Sequence, residues 1–244
     1  MSIAALRALI AEKFPSAIPA AQRTVLPVAT GIPVLDRALP NGGFPLGKLT
    51  ACEPLGGATA ILRAACAATI DAGDRAAWID GALTTAGAFW TEGPLLVRPR
   101  GDRQAVAAAD LLLRCGGFRL VVLAGVALAD ADTVRLVRAA HEGGGAFVAL
   151  TAQANMAALR LEVRIDAEAW QWREDPFGGM AAARDVQLHA DIRSLGWNRR
   201  VRFALPVASH ELRLALDPGL VDRRGKPGAS KSGNQRSRRR VNPV

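Results

Sequence analysis

The sequence predicts an α/β fold, a mostly parallel sheet flanked by helices and followed by an antiparallel extension. Three observations carry that expectation. Between residues 47 and 150, short apolar strands alternate with helical segments of about 10–15 residues, the pattern of right-handed β-α-β crossovers. Arg119–Ala124 (RLVVLA) and Ala146–Leu150 are strongly apolar, as strands covered on both faces are. After Thr151 the period changes to two. Leu159–Ile165 (LRLEVRI), Asp185–Ile192 and Arg200–Leu205 (RVRFAL) alternate apolar with polar residues, as half-exposed antiparallel strands do.

The elements follow in order. Ile3, Leu6, Ile10 and Phe14 lie three and four residues apart, predicting an amphipathic helix over 3–14 that Pro15 and Pro19 end. An extended stretch, Thr24–Ala29, leads into Thr30-Gly31. Turn residues from Pro33 to Pro45 surround a short helix over Val34–Leu39. A strand over 47–53 precedes a helix over Ala58–Asp71, which Gly73 closes. Then come a strand over Arg75–Asp80, a helical segment near Thr84–Thr91 and a short strand at Leu95–Val97. Helices over Arg103–Cys115 and Asp132–His141 flank the Arg119–Ala124 strand, and Gly116-Gly117 and Gly143–Gly145 stop them. The turn Ser194–Asn198 makes a hairpin of the last two strands. The chain thus divides into a helix and linker (1–28), a core (29–221) and a disordered tail (222–244) rich in Gly, Ser, Pro and Arg.

Charge is unevenly spread over the 244 residues. The formal net charge is +9, yet Arg223, Arg224, Lys226, Lys231, Arg236, Arg238, Arg239 and Arg240 all lie beyond Asp222 with no acid among them. Taking these eight from +9 leaves a body at +1 and a basic arm. Three widely spaced cysteines, Cys52, Cys66 and Cys115, exclude a disulfide framework and a cysteine zinc site, and fit a reducing cytosol. The apolar run Leu120–Ala129 is about half of the ~20 residues a membrane span requires. The expectation is a cytoplasmic protein without a membrane segment.

A phosphate-binding loop should follow the first core strand. Such a loop needs glycines so that backbone N–H groups can wrap phosphates, a lysine to neutralise charge, and a Ser/Thr hydroxyl for magnesium. The chain reads Glu53-Pro54-Leu55-Gly56-Gly57-Ala58-Thr59-Ala60. Gly56, Gly57 and Thr59 are in place, Ala58 stands where the lysine would be, and the run is too short for the full spacing.

Ala29-Thr30-Gly31, Leu35-Asp36, Leu39, Gly42-Gly43-Phe44-Pro45 and Gly47-Lys48-Leu49, followed by this loop, resemble the segment that opens the core of RecA-type recombinases. Trp78-Ile79-Asp80 resembles the second core strand of that fold, and Leu120–Ala124 its acid-bearing strand. Ala158–Arg164 and the strands ending in Arg200–Leu205 resemble its antiparallel extension. The N-terminal helix resembles the RecA segment that docks on a neighbouring protomer. The resemblance spans roughly residues 3–206.

Against that pattern the catalytic charges are missing. Ala58 replaces the lysine, Ala124 ends the central strand without an acid, and Ala82 occupies the position of the water-activating glutamate. Phosphoryl transfer rests on charge stabilisation and positioning, and loss of one such group costs about 100-fold or more in rate. No nucleotide and no cofactor is therefore expected. The intervals matching RecA's DNA-binding loops, Gly125–Asp130 and Thr151–Ala157, contain no Lys, Arg or aromatic residue, so DNA binding by these loops is not expected either.

A RecA-like core with these losses resembles the ImuA family, which is similar to RecA and to the SulA division inhibitor. The resemblance implies a non-catalytic adaptor in SOS-induced error-prone translesion synthesis, with an ImuB-type Y-family polymerase homologue and RecA as partners. Two other readings stand beside it. One is a divergent RecA-like DNA-repair ATPase whose cation comes from Lys48 or a neighbour's arginine; the other is a SulA-like division inhibitor. Leu6, Leu9, Ile10 and Phe14 on the N-terminal helix, together with Trp172 and Trp197 near turns, are the partner-binding expectations. Trp78 is expected in the core, and Trp170 and Trp172 on one face if 167–173 is extended. The basic tail contacts DNA phosphates weakly, an acidic partner surface, or only solvent. Asp80 reads as a structural carboxylate or a metal ligand, and His141, His189 and His210 lack metal-type spacing.

Overall fold

A computed structural model describes residues 26–84, 93–152, 155–174 and 180–206. The expected N-terminal helix with Leu6, Leu9, Ile10 and Phe14, the segment 85–91 and the basic tail lie outside the described residues. Among those described, eight strands form one sheet. They are β1 (Leu49–Cys52), β2 (Ala76–Asp80), β3 (Leu95–Val97), β4 (Leu120–Ala124), β5 (Ala146–Leu150), β6 (Leu159–Glu174), β7 (Met180–Ser194) and β8 (Trp197–Pro206). The helices are α1 (Pro33–Ala38), α2 (Ala58–Asp71), α3 (Asp102–Arg114) and α4 (Asp130–Gly143), with one 3-10 turn at Pro40–Gly42. The strand order is β3-β2-β4-β5-β1-β6-β7-β8. Neighbours from β3 through β6 pair in parallel, and β7 runs antiparallel to both β6 and β8. This is the predicted mostly parallel α/β architecture with its antiparallel extension.

Helices cover both faces of the parallel half, and that is why β2 and β4 are buried at every position. Trp78, Val122, Val148 and Cys52 face α1 and α2, packing on Leu35, Ile61, Leu62, Ala65 and Cys66. Ile79, Val121, Leu123 and Phe147 face the opposite way, onto Val106, Ala109 and Leu113 of α3 and Leu136 and Ala139 of α4. The extension continues only the first of these cores. Leu159, Leu161, Val163, Val186, Leu188, Ala190, Ile192 and Phe203 are its buried positions. At the α3–α4 contact, hydrogen bonds from Arg138 (2.8 Å) and from Arg114 hold the Glu142 carboxyl below its usual range.

The largest departure from the periodicity is at β6 and β7, which run to 16 and 15 residues, well past Leu159–Ile165 and Asp185–Ile192. Register shifts between Ile165 and Trp170, Gln171 and Trp172, and Arg173 and Glu174 break the alternation, so the period of two is lost although the backbone stays extended. Trp170 and Trp172 do lie together, with ring centroids 6.3 Å apart. The β7–β8 hairpin turns on Leu195-Gly196, and Gly196 takes φ +70.

Asp36 ties the segment before α1 into a turn. The Thr30 backbone N–H and hydroxyl each donate to Asp36 Oδ1 at 2.7 Å, and Thr30 Oγ1 accepts from Ile32 N–H at 3.2 Å. This holds Gly31 (φ +74) against α2, where an added Cβ would lie 2.9 Å from Ala68 Cβ. Hydrogen bonds to a carboxylate contribute more than neutral ones. Asp36→Ala is therefore expected to lower unfolding free energy by about 2 kcal/mol, with Asp36→Asn milder, in urea titrations. Equal stability of all three chains would show that something else holds the turn.

Candidate functional site

The carboxyl ends of parallel strands, where helices leave on opposite faces, are where open α/β sheets place ligands. Here β1 ends at Cys52 and the loop Glu53–Gly57 leads into α2. The loop lies under the extension. A Cβ on Gly56 would lie 3.1 Å from Ile165 Cδ1. On Gly57, which takes φ +96 at the N-cap of α2, it would lie 2.6 Å from Leu188 Cδ2 and 3.2 Å from Val163 Cγ1. Gly57 favours glycine because it takes the left-handed region and apolar side chains of β6 and β7 lie close, while a side chain at Gly56 would need Ile165 to give by a few tenths of an ångström.

The loop also turns in on itself. Leu55 N–H donates to Glu53 carbonyl at 2.8 Å and Ala58 N–H to Leu55 carbonyl at 3.4 Å. Two of the donors that a phosphate cradle would present are thus used internally. Ala58 itself is buried in the core, so its side chain sits where a lysine would have to bury its stem. Thr59 is exposed and reaches the adjoining cleft.

That cleft has a volume of about 400 Å³ and joins the ends of four strands. Pro54 and Thr59 border it from the loop and α2, Trp78, Ala82 and Thr84 from β2 and beyond, Ala124, Gly125 and Val126 from β4, and Leu150, Thr151 and Ala152 from β5. The loop and the two alanines singled out in the sequence, Ala82 and Ala124, are therefore brought to one place. Among these described lining residues none is charged. Asp80 is fully buried at the end of β2, and its Oδ1 accepts from Thr84 N–H at 3.3 Å, the role of a structural carboxylate. Among the described residues no cluster of three His, Cys, Asp or Glu side chains could hold a metal ion.

The remaining expectations are scattered. Trp78 is in the core, while Trp172 is 50% and Trp197 37% exposed. Those two indoles sit at opposite ends of the extension, Trp172 toward the far end of β6 and Trp197 beside the β7–β8 turn, so they form no single patch. His141 closes α4 and His189 lies on β7; His210 is outside the described residues. Sequence reasoning missed the closure of the loop, because the residues pressing on it lie more than a hundred positions away. It also passed over the charged face of the extension, although the alternate charges in Leu159–Ile165 and Asp185–Ile192 were its signal. No helix among the described residues is long and apolar enough to cross a membrane. No protein-family model matches the chain, and no curated protein matches it.

The three thiols give a direct check on the packing of the core. Burial pushes Cys52, at the end of β1, and Cys66, on α2, from 9.0 up to about 12, while Cys115 is exposed. At pH 8 the folded chain is expected to give one fast equivalent with a thiol reagent, from Cys115, and three after denaturation. Because both buried thiols keep their protons when unfolded ones would ionise, their contribution to stability is complete below pH 9.0 and is lost as pH rises toward about 12. A second fast thiol at pH 8 would refute this packing.

Proposed function

We propose that this chain is a non-catalytic adaptor on a RecA-like scaffold, acting as an ImuA-family protein acts in error-prone translesion synthesis, with an ImuB-type polymerase homologue and RecA as its partners. The observation that supports it best is the uncharged cleft at the place where a nucleotide would be handled. A triphosphate brought there would lose hydration without meeting a cation from the described lining, an arrangement that costs several kcal/mol. The inturned loop points the same way, because its glycines serve packing against β6 and β7. The partner role itself comes from the resemblance of the motifs, with Trp172 and Trp197 as the described aromatic contacts.

The divergent-ATPase reading loses one of its two cation sources. Lys48 lies at the amino end of β1, five residues from Glu53 along extended chain, or about 16 Å from the loop at ~3.3 Å per residue. Calorimetry of the full chain with ATP and magnesium is expected to give no heat of binding; micromolar affinity would overturn the non-catalytic reading. Restoring the lysine alone, with Ala58→Lys, is expected to yield no turnover and a lower melting temperature, since Ala58 is buried. For the adaptor role, the tagged full chain should retain the polymerase homologue or RecA in a pull-down from purified components, and retention of neither would refute it.

A further inference from the structure

Among the described residues no helix packs on the outer face of the extension. On that side of the sheet α3 and α4 bury side chains of β1, β2, β4 and β5, and none of the buried cluster comes from β6, β7 or β8. The exposed positions form three cross-strand rows. Arg160 is opposite Arg193, which faces Asn198; Glu162 is opposite Asp191, which faces Arg200; Arg164 is opposite His189, which faces Arg202. The face is therefore striped, with two basic rows on either side of a row holding both carboxylates.

Like charges directly opposed on neighbouring strands repel, so a face arranged for its own stability would set acid opposite base. In these three rows only Asp191 has a base directly opposite, Arg200, while Glu162 reaches its bases along and across rows. Glu162 accepts from Arg164 and, at 3.4 Å, from Arg193, and Asp191 accepts from Arg200 Nε at 2.5 Å. Arg202 Nε lies 3.1 Å from His189 Nε2, and that nitrogen is 3.4 Å from Asp166 Oδ2. Within the three rows and Asp166, five arginines stand against three carboxylates; Asp185, farther along the same face of β7, pairs with Arg184 at 3.2 Å, and Glu53 borders the Arg160–Arg193 end. The two central acids orient guanidinium groups that remain largely in solvent, since Arg164, Arg193 and Arg200 are 69%, 60% and 86% exposed.

We propose that this face binds duplex nucleic acid through its phosphates. The two basic rows are four residues apart on β6, roughly 13 Å, close to the ~12 Å width of a B-form major groove. Phosphates on the two rims would meet Arg160 with Arg193 and Arg164 with Arg202, and the groove would pass over the Glu162–Asp191 row, where no phosphate has to sit. An extended acidic peptide lying across the face would meet that row and be repelled, which favours the duplex. Guanidinium forks suit phosphate oxygens. The face adjoins Thr151 and Ala152 at its Arg160–Arg193 end, and the proposal does not depend on the adaptor reading.

The test is fluorescence anisotropy with a labelled duplex of about 20 base pairs, using the full chain with Arg238, Arg239 and Arg240 changed to Ser to reduce the tail's share. Adding Arg164→Gln and Arg202→Gln is expected to weaken binding about tenfold or more at low salt and to lower the slope of log K against log salt by about two. The Arg164→Lys/Arg202→Lys chain keeps the charges and should keep the slope. Unchanged affinity and slope in the glutamine chain would overturn the proposal. So would the same loss of slope in the lysine chain, absence of duplex binding by the unaltered protein, or binding of polyglutamate as tight as that of the duplex.

Discussion

The contact of Ile165, Val163 and Leu188 with the backbone of Gly56 and Gly57 is the constraint from which the rest of this molecule follows. It seats the antiparallel extension against the start of α2, beside the parallel β1–β6 ladder that joins the two halves of the sheet. It also determines what the loop is. With side chains of β6 and β7 lying on two successive glycines, the backbone turns inward, and N–H groups of Leu55 and Ala58 find partners within the loop. A side chain at Gly57 would need both the left-handed region and the space that Leu188 fills, so the loop is tied to the packing of the extension.

The cleft at the strand ends is uncharged in its described lining, although Asp80 ends β2 and Glu53 follows β1. The described lining of the cleft holds threonine hydroxyls, alanines and an indole but no ionised group. The buried thiols keep their protons far above neutral pH. Ionised side chains gather at the α3–α4 contact and on the outer face of the extension, which no described helix covers. A sheet that is helix-covered on both faces in one half and on one face in the other separates these two environments within one element order. The parallel strands place the uncharged cleft, and the antiparallel strands carry the arginines.

Much of this was readable from residue order. The apolar runs at Leu120–Ala124 and Ala146–Leu150 announce strands buried on both faces, and glycine-marked helix ends bound α2, α3 and α4 to within about two residues. Alternation after Thr151 announced the half-exposed extension, and Ala58, Ala82 and Ala124 marked a site short of charge before any contact was known. What could not be read was the reach of β6 and β7. Their bulges displace the alternation that identifies strands, although the hydrogen-bonded ladder continues through Trp172.

The sequence by itself determined the fold class, the order of its elements and the uncharged residues at Ala58, Ala82 and Ala124, because periodicity and residue type are local properties of the chain. Only the tertiary structure decided what lies against Gly56 and Gly57, since their neighbours Ile165 and Leu188 come from strands more than a hundred residues on. It alone decided that arginines spread from Arg160 to Arg202 share one face, because cross-strand register brings distant positions opposite each other. Register is set by the pairing of whole strands, and no single segment carries it.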